Sequence, residues 1–218
     1  MHMSHLEPLR PASAHLVAEH FARLVHRKLV SVDAFVRLAD ELRAHGSPEA
    51  LVRGCLEAAT DELLHTRMMT ELAERFGVCP DEPRSEPARP RTLLDLAIAN
   101  ATGGCVRETY AALEASFQAE HADDDEVRAV MATVARDETV HAALAWDLHA
   151  WLEDHLPASD WAEVEEAMAS TIDELSGELA RPRGASLTSL AGLPDEDTAL
   201  ALLDGLRAQL WTSEPLAA

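Results

Sequence analysis

The chain is short of the residues that favour β-structure and of long apolar runs. Only 4% of its 218 residues are aromatic and nine are glycine, whereas alanine and leucine dominate an apolar content of 47%. This mixture favours helix over strand. No run of about eighteen uninterrupted apolar residues is present, which excludes an ordinary membrane-spanning helix. The length is sufficient for one domain with a large core.

Basic residues are also scarce. Lys and Arg together number 18 against 39 Asp and Glu, which gives a formal charge of −21. Nucleic acids and anionic membrane surfaces are therefore disfavoured as partners, because their phosphates need basic side chains to neutralise them. The acidity instead predicts a soluble, self-repelling surface.

Cysteine occurs three times, at positions 55, 79 and 105. An odd number without Cys-x-x-Cys spacing predicts neither a disulfide framework nor a zinc knuckle. The first residues, MHMSHLEPLRP, lack the charged-then-apolar order of a secretion signal. We therefore expect a cytoplasmic protein.

Helical spacing of apolar residues predicts two pairs of long helices. Ser47 is the predicted N-cap of the second helix and Asp123 the predicted N-cap of the fourth. No segment alternates convincingly as a strand. The predicted helices cover approximately 12–45, 48–76, 92–121 and 125–155, followed by shorter ones at 159–179 and 195–211.

A proline-rich segment, CPDEPRSEPARPR at 79–91, separates the second helix from the third. It is predicted to be extended, and at ~3 Å per residue it reaches ~40 Å, enough to cross between two parallel helices. The order helix, short turn, helix, long crossover, helix, short turn, helix is that of an all-α four-helix bundle with one crossover. We expect this bundle at 1–156 and a C-terminal helical extension at 157–218, packed on the same domain.

The same Asp-Glu-x-x-His pattern occurs twice, as DELLH at 61–65 and DETVH at 137–141. Residues three apart share one face of a helix. Glu62 and His65 can therefore point at one target, and so can Glu138 and His141. Each Glu follows its predicted N-cap by fifteen residues, so both motifs are expected at one depth.

A single carboxylate on the third helix is predicted by reflection across the second turn. The turn centres near residue 123, and the mirror of Glu138 falls on Glu108. Asp61 and Asp137 precede the two motif glutamates, and each can accept a hydrogen bond from the His of the neighbouring helix. An Asp at this position also excludes the His-Glu-x-x-His pattern of zinc proteases.

The pattern resembles the ferritin-like superfamily, and more narrowly small bacterial ferritin-like domain-containing proteins. The resemblance covers roughly residues 15–155 and implies a ferritin-like four-helix bundle with a di-iron or mixed Mn/Fe centre. The segments that carry it are SVDAFVRLADEL, ATDELLH, GGCVRETYAAL and VARDETVHAALAW. The implied metal ligands are Glu62, His65, Glu108, Glu138 and His141, supported by Asp61 and Asp137.

Helix one departs from this pattern, because the family places a fourth carboxylate there. The 76-residue offset between the motifs maps Glu108 onto Val32, and the family's usual acidic position corresponds to Lys28. Three alternatives follow. Asp33 can substitute after a small register change, or water can complete a metal shell with one ligand fewer. Alternatively Lys28 enters the site, where burial and a dication would lower its pKa and make it a base, nucleophile or ligand.

The resemblance implies a metal-dependent oxidoreductase that activates O₂ or peroxide, acting on a small-molecule substrate that the sequence does not identify. Two alternatives stay open: a protein that stores or detoxifies iron, and a metal-free structural relic that has lost its helix-one ligand. The helices after residue 156 can cap a pocket or mediate self-association, so a homodimer is also an expectation.

Overall fold

The computed structural model describes residues 11–81 and 89–211, and within these ranges all regular structure is helical. The prediction of an all-α fold is confirmed, since no strand occurs in the described residues. The helices are α1 Pro11–Ala44, α2 Glu49–Arg75, α3 Leu93–Ala99, a π-helix Asn100–Glu108, α4 Thr109–His121, α5 Asp125–Glu153, α6 Ala158–Leu179, α7 Ala185–Ser189 and α8 Glu196–Leu210.

Both predicted N-caps are wrong by one residue. Helix α2 begins at Glu49 with the extended Pro48 in the cap position, so Ser47 lies one residue too early to cap it. Helix α5 is capped by Asp124, whose side chain accepts hydrogen bonds from two backbone N–H groups of its first turn. Because both caps move by the same amount, the two motif glutamates still lie at equal depth in their helices.

The third helical run contains a π-helix that the sequence did not predict. The run starts at a capping box between Thr92 and Asp95 and passes through Asn100–Glu108 without leaving helical backbone angles. At Gly104 an added Cβ would lie 2.6 Å from the Cβ of Ala145. Glycine thus permits the close approach of this run to α5. Asn100 adds a buried hydrogen bond to the Ala145 carbonyl, at 2.9 Å.

The long helices pack as two hairpins that meet along α2 and α5. Helix α1 lies along α2 across a short turn, and α4 lies along α5 across another. Between the hairpins, Asp61 pairs with His141 and His65 pairs with Asp137. Because the numbering rises on one helix as it falls on the other, α2 and α5 are antiparallel.

The end of α2 and the start of the third run lie at opposite ends of this assembly. Arg75 pairs with Asp124 at 2.7 Å, beside the turn before α5. Arg91 pairs with Glu41 at 2.6 Å, beside the turn after α1. The chain between them therefore connects opposite ends, as the predicted crossover requires; residues 82–88 of that segment lie outside the described residues.

The C-terminal helices cover one side of the third run. Helix α6 packs on α3 and the π-helix, α8 packs on α6 and α4, and the short α7 lies against α1. Helix α7 lies between the predicted helices at 159–179 and 195–211, where no helix was predicted. Gly192 follows it with a positive φ of 68° and lies too close to Ala122 for any Cβ. Among the helices described, none combines the length and apolar character required to span a membrane.

Two apolar clusters fill the bundle, and the motifs lie between them. One cluster takes Leu51 to Ala59 of α2 together with Leu148 and Leu152 of α5. The other takes Met69 to Ala73 of α2 together with Val127 to Ala135 of α5. The motif residues 62–65 and 137–141 thus occupy a polar layer enclosed by apolar packing on both sides.

Candidate metal centre

Four side chains of the two motifs converge in the middle of the molecule. Their exposed fractions are 1% for Glu62, 0% for His65, 2% for Glu138 and 1% for His141. Burial of ionisable groups at this depth is costly unless they pair with each other or with a cation. The contacts around these four residues therefore determine what the site can do.

Each histidine is fixed by an aspartate from the other motif. The Nε2 atom of His65 lies 3.2 Å from Asp137 Oδ2, and that of His141 lies 3.3 Å from Asp61 Oδ2. These are the cross-helix pairs expected from sequence. A carboxylate can only accept, so Nε2 carries the proton in both rings, and in the neutral tautomer Nδ1 presents a lone pair.

Both Nδ1 atoms face the motif carboxylates. His65 Nδ1 lies 3.5 Å from Glu62 Oε1 and from Glu138 Oε1. His141 Nδ1 lies 3.6 Å from Glu62 Oε1 and 3.7 Å from Glu138 Oε2. Neither Nδ1 atom, nor Glu62 Oε2, has a hydrogen-bond partner among the described residues. Lone pairs that face carboxylate oxygens at these distances repel unless a proton or metal ion lies between them.

The charges of the motif glutamates make the site strongly attractive to cations. Burial alone would lower the pKa of both histidines, but the carboxylates of Glu138 and Glu62 raise it to about 9 for His65 and about 10 for His141. Burial opposes ionisation of the two glutamates, yet the histidines and Lys28 hold their pKa values below the ordinary range. The cluster therefore binds protons tightly, and a metal ion would have to displace them.

Lys28 is the helix-one residue that reaches the cluster. Its Nζ donates to Glu62 Oε1 at 3.0 Å and also contacts the carboxylate of Glu138. The side chain is only 16% exposed. Asp33 is exposed, and of the helix-one residues considered from sequence it is Lys28 that contacts the motif carboxylates in this structure.

The charge state of Lys28 follows from its partners. Burial would lower its pKa, but the charges of Glu138 and Glu62 and hydrogen bonds to them raise it above the ordinary value. The depressed pKa expected from sequence needed a nearby dication, whereas these two carboxylates favour the ammonium form. Lys28 is also the only lysine in the chain, and its entry into the site was one of the three alternatives drawn from the sequence.

Glu108 lies beside the motif cluster and does not belong to the group whose donor atoms are closest together. The donor atoms that all lie within 4.8 Å of one another belong to Glu62, Glu138 and His141. Glu108 is half-buried and lines a cavity together with His141. Burial, and then the negative charge of Glu138, raise its pKa to about 7. It can therefore exchange a proton near neutral pH.

The cavity beside Glu108 is a feature that sequence reasoning missed. It has a volume of about 160 Å³ and lies between α1, the π-helix and α5. Its walls are mostly apolar, and the ring of Phe35 stands edge-on to His141 with centroids 5.5 Å apart. Two adjacent glycines, Gly103 and Gly104, line it. The chain has only nine glycines, so two adjacent ones within a predicted helix were the signal in the sequence that could have indicated this cavity.

In comparisons with known proteins, no family model, curated protein or solved structure matches this chain. The interpretation of the site therefore depends on its own geometry. That geometry contains a buried Glu–Glu–His group whose donor atoms lie close enough together to surround a metal ion, with a second histidine adjoining it.

Proposed function

We propose that this chain is a ferritin-like metal protein, and that its centre serves an oxidase or oxygenase that activates O₂ or peroxide. Two antiparallel helices carrying Glu-x-x-His motifs at equal depth support this interpretation. The hairpin pairing and the opposite ends joined by the crossover segment also agree with a ferritin-like bundle. The residues proposed to hold metal are Glu62, His65, Glu138 and His141, with Glu108 within reach of the same region.

The observation that carries the proposal is the orientation of the two histidines. Each ring donates from Nε2 to an aspartate, and each buried Nδ1 lacks a hydrogen-bond partner among the described residues while facing two carboxylates. A carboxylate behind a histidine is the usual support of a metal-binding imidazole. In the metal-free protein, protons on Nδ1 can fill the space between the rings and the carboxylates, and a bound metal ion would take the place of those protons.

The donor set suits a borderline first-row metal. Two carboxylates and two imidazoles, without thiolate, fit iron or manganese better than a soft metal. When bound, either metal would supply the one-electron redox chemistry that O₂ or peroxide activation requires. Two carboxylates that can each offer two oxygens also allow a dinuclear centre, although Lys28 already takes one oxygen of Glu62.

The surrounding residues would control protons and water. The Lys28 ammonium contacts both motif carboxylates and would hold a positive charge beside them. Glu108, with a pKa of about 7, can take or return a proton at the cavity wall. The mostly apolar cavity of about 160 Å³ would admit only a small substrate beside Glu108 and His141.

Anaerobic loading with Fe(II) or Mn(II), followed by elemental analysis, tests the metal centre. Replacement of Glu138 by Gln removes a central charge at nearly constant shape, so we expect affinity to fall on the order of tenfold or more. Replacement of the exposed Glu153 on the same helix is the matched control and should leave loading unchanged. Equal loading of both variants would refute the assignment of Glu138.

One observation favours a second candidate, a metal-free structural protein. The Lys28 ammonium already pairs with both motif carboxylates, so the cluster is partly neutralised by the chain itself. Failure of the parent protein to bind either metal would favour this candidate. If metal does bind, oxygen consumption that yields a ferric mineral would indicate storage, and consumption with a modified organic molecule would indicate an oxygenase.

A further inference from the structure

A second cavity, away from the motifs, is lined by arginines. It has a volume of about 310 Å³ and lies between one face of α1, helix α4 and the segment around α7. A volume of roughly 300 Å³ is at the lower end of the range for small-molecule sites. The residues around it are His20, Arg23, Leu24, Arg27, Glu114, Arg183, Leu187 and Leu193.

The charge of this cavity is opposite to that of the whole chain. Three guanidinium groups line it against one carboxylate, Glu114, in a protein whose formal charge is −21. Glu114 is already paired with Arg183, at 2.8 Å. Two positive charges are therefore left in excess around one concave surface.

The two arginines on α1 are weakly neutralised by the protein. Arg23 lies 4.0 Å from Glu19 Oε2, at the limit of an ion pair. No carboxylate of the described residues forms an ion pair with Arg27. Side chains four apart lie on the same helix face, so both guanidinium groups belong to one surface that can bind an anion through several N–H donors.

His20 adds a buried polar atom to the same cavity. Its Nε2 is inaccessible to solvent and has no hydrogen-bond partner among the described residues. Burial, followed by the positive charges of the arginines around the cavity, lowers its pKa to about 3. The ring is therefore neutral at physiological pH, and the positive charge around the cavity comes from the arginines alone.

We propose that this arginine-lined cavity binds a small organic or inorganic anion bearing a carboxylate or phosphate group. Arg23, Arg27 and Arg183 would supply charge-assisted hydrogen bonds, and Leu24, Leu187 and Leu193 would contact an apolar part of the ligand. A narrower cavity of about 50 Å³ shares four lining residues with it and extends to Lys28 and Glu138. The anion would thus bind in a cavity whose narrower neighbour reaches Lys28 and Glu138 of the motif cluster.

Isothermal titration of metal-free protein, chelated and then dialysed, tests this site independently of the metal centre. The probes are inorganic phosphate, butyrate and the neutral analogue butanol, at low ionic strength because screening weakens exposed charges. The parent protein should bind at least one of the two anions at one site per chain and should bind butanol far more weakly. Phosphate alone would identify a phosphoryl ligand, butyrate alone a carboxylate, and both a site for either group.

Replacement of Arg27 by Ala is the decisive variant, because its side chain is exposed and forms no ion pair with the described residues. We expect the variant to remain folded and to bind the anion at least about tenfold more weakly, as loss of a charge-assisted hydrogen bond predicts. Replacement of the exposed Arg53 on α2 changes net charge equally and should leave binding unchanged. The proposal is overturned if neither anion binds, if butanol binds as tightly as butyrate, or if both variants behave alike.

Discussion

The two helices that carry the motifs are nearly symmetric, whereas the helices beside them are not. On α2 and α5 each histidine donates to the other helix's aspartate, at 3.2 and 3.3 Å. Beside them, α1 contributes an ammonium group from Lys28 and the third run contributes the carboxyl group of Glu108. The symmetric pair of helices carries the proposed metal ligands. The asymmetric pair sets the charge and the proton content around them.

The asymmetry divides the centre into two sides. On one side the Lys28 ammonium neutralises the motif carboxylates. On the other side Glu108 borders the apolar cavity next to His141, and its pKa of about 7 reflects the cost of a further negative charge there. A symmetric centre would have a carboxylate in both places and would require more positive charge from bound metal.

Replacement of Lys28 by Glu should give the largest effect on stability. With this change, α1 and the third run would each place a carboxylate beside the motifs. In metal-free protein the variant loses the only ammonium group of the cluster. It also places a new carboxylate beside those of Glu62 and Glu138, which repel it. Breaking a buried charge pair costs about 3–5 kcal/mol, so we expect a large fall in melting temperature. Added Fe(II) or Mn(II) under anaerobic conditions should restore much of this loss, since metal binding stabilises the folded state.

Replacement of Lys28 by Met separates these two effects. It removes the charge without adding a ligand, so metal should raise its melting temperature less than that of the Glu variant. Thermal melts of both variants, with and without metal, provide the comparison. A Lys28→Glu protein that melts like the parent in the absence of metal would show that the lysine contributes little to the cluster.

Replacement of Glu108 by Gln should have a smaller effect whose sign depends on pH. The folded protein raises the pKa of Glu108 from 4.5 to about 7. The folded state therefore binds more protons than the unfolded chain between these values, and stability is lost as pH rises through them. At pH 8 the penalty is about 2–3 kcal/mol, and the Gln variant should be more stable than the parent by a comparable amount.

Denaturant unfolding of metal-free protein at pH 5 and pH 8 measures this difference. Near pH 5 both proteins carry a neutral side chain at position 108, so their stabilities should be close. A variant that is less stable than the parent at pH 8 would show that the ionised Glu108 is stabilised by a partner.

Separate replacement of Asp61 and Asp137 by Asn tests the symmetric pair of helices, α2 and α5. We expect these changes to give the smallest effect, a loss of metal affinity. Removal of the carboxylate behind a metal-binding histidine typically weakens metal affinity 10–100-fold. Asp137 is 16% exposed and Asp61 is 38% exposed, so we expect Asp137→Asn to lose more affinity than Asp61→Asn. The exposed Asp147 on α5 is the matched control in anaerobic metal titrations. Equal metal affinities in all three variants would show that Asp61 and Asp137 do not support metal binding.

Several features of this protein could be predicted from local patterns. The spacing of Glu62 with His65, and of Glu138 with His141, placed each pair on one helix face, because helical periodicity depends on the backbone alone. The cross-helix role of Asp61 and Asp137 followed from the repeated motif. Even the wrong N-caps preserved equal depth, since each observed N-cap lies one residue after the predicted one.

Other features depended on contacts between segments distant in sequence. Nothing near Lys28 indicates that its side chain turns inward, because the carboxylates that hold it lie 34 and 110 residues away. The π-helix likewise depends on close packing of Gly104 and Asn100 against Ala145. Its wider turns leave no distinct periodic signal in nine residues.

The sequence by itself determined the long helices, their apolar faces and the residues of the two motifs, because these depend on spacing within one segment. Only the tertiary structure decided which group helix one supplies, where Glu108 lies relative to the cluster, and that arginines from α1 and from position 183 surround one cavity. These properties arise when separate helices bring charges together at distances where burial strengthens their interaction. No local pattern encodes that distance.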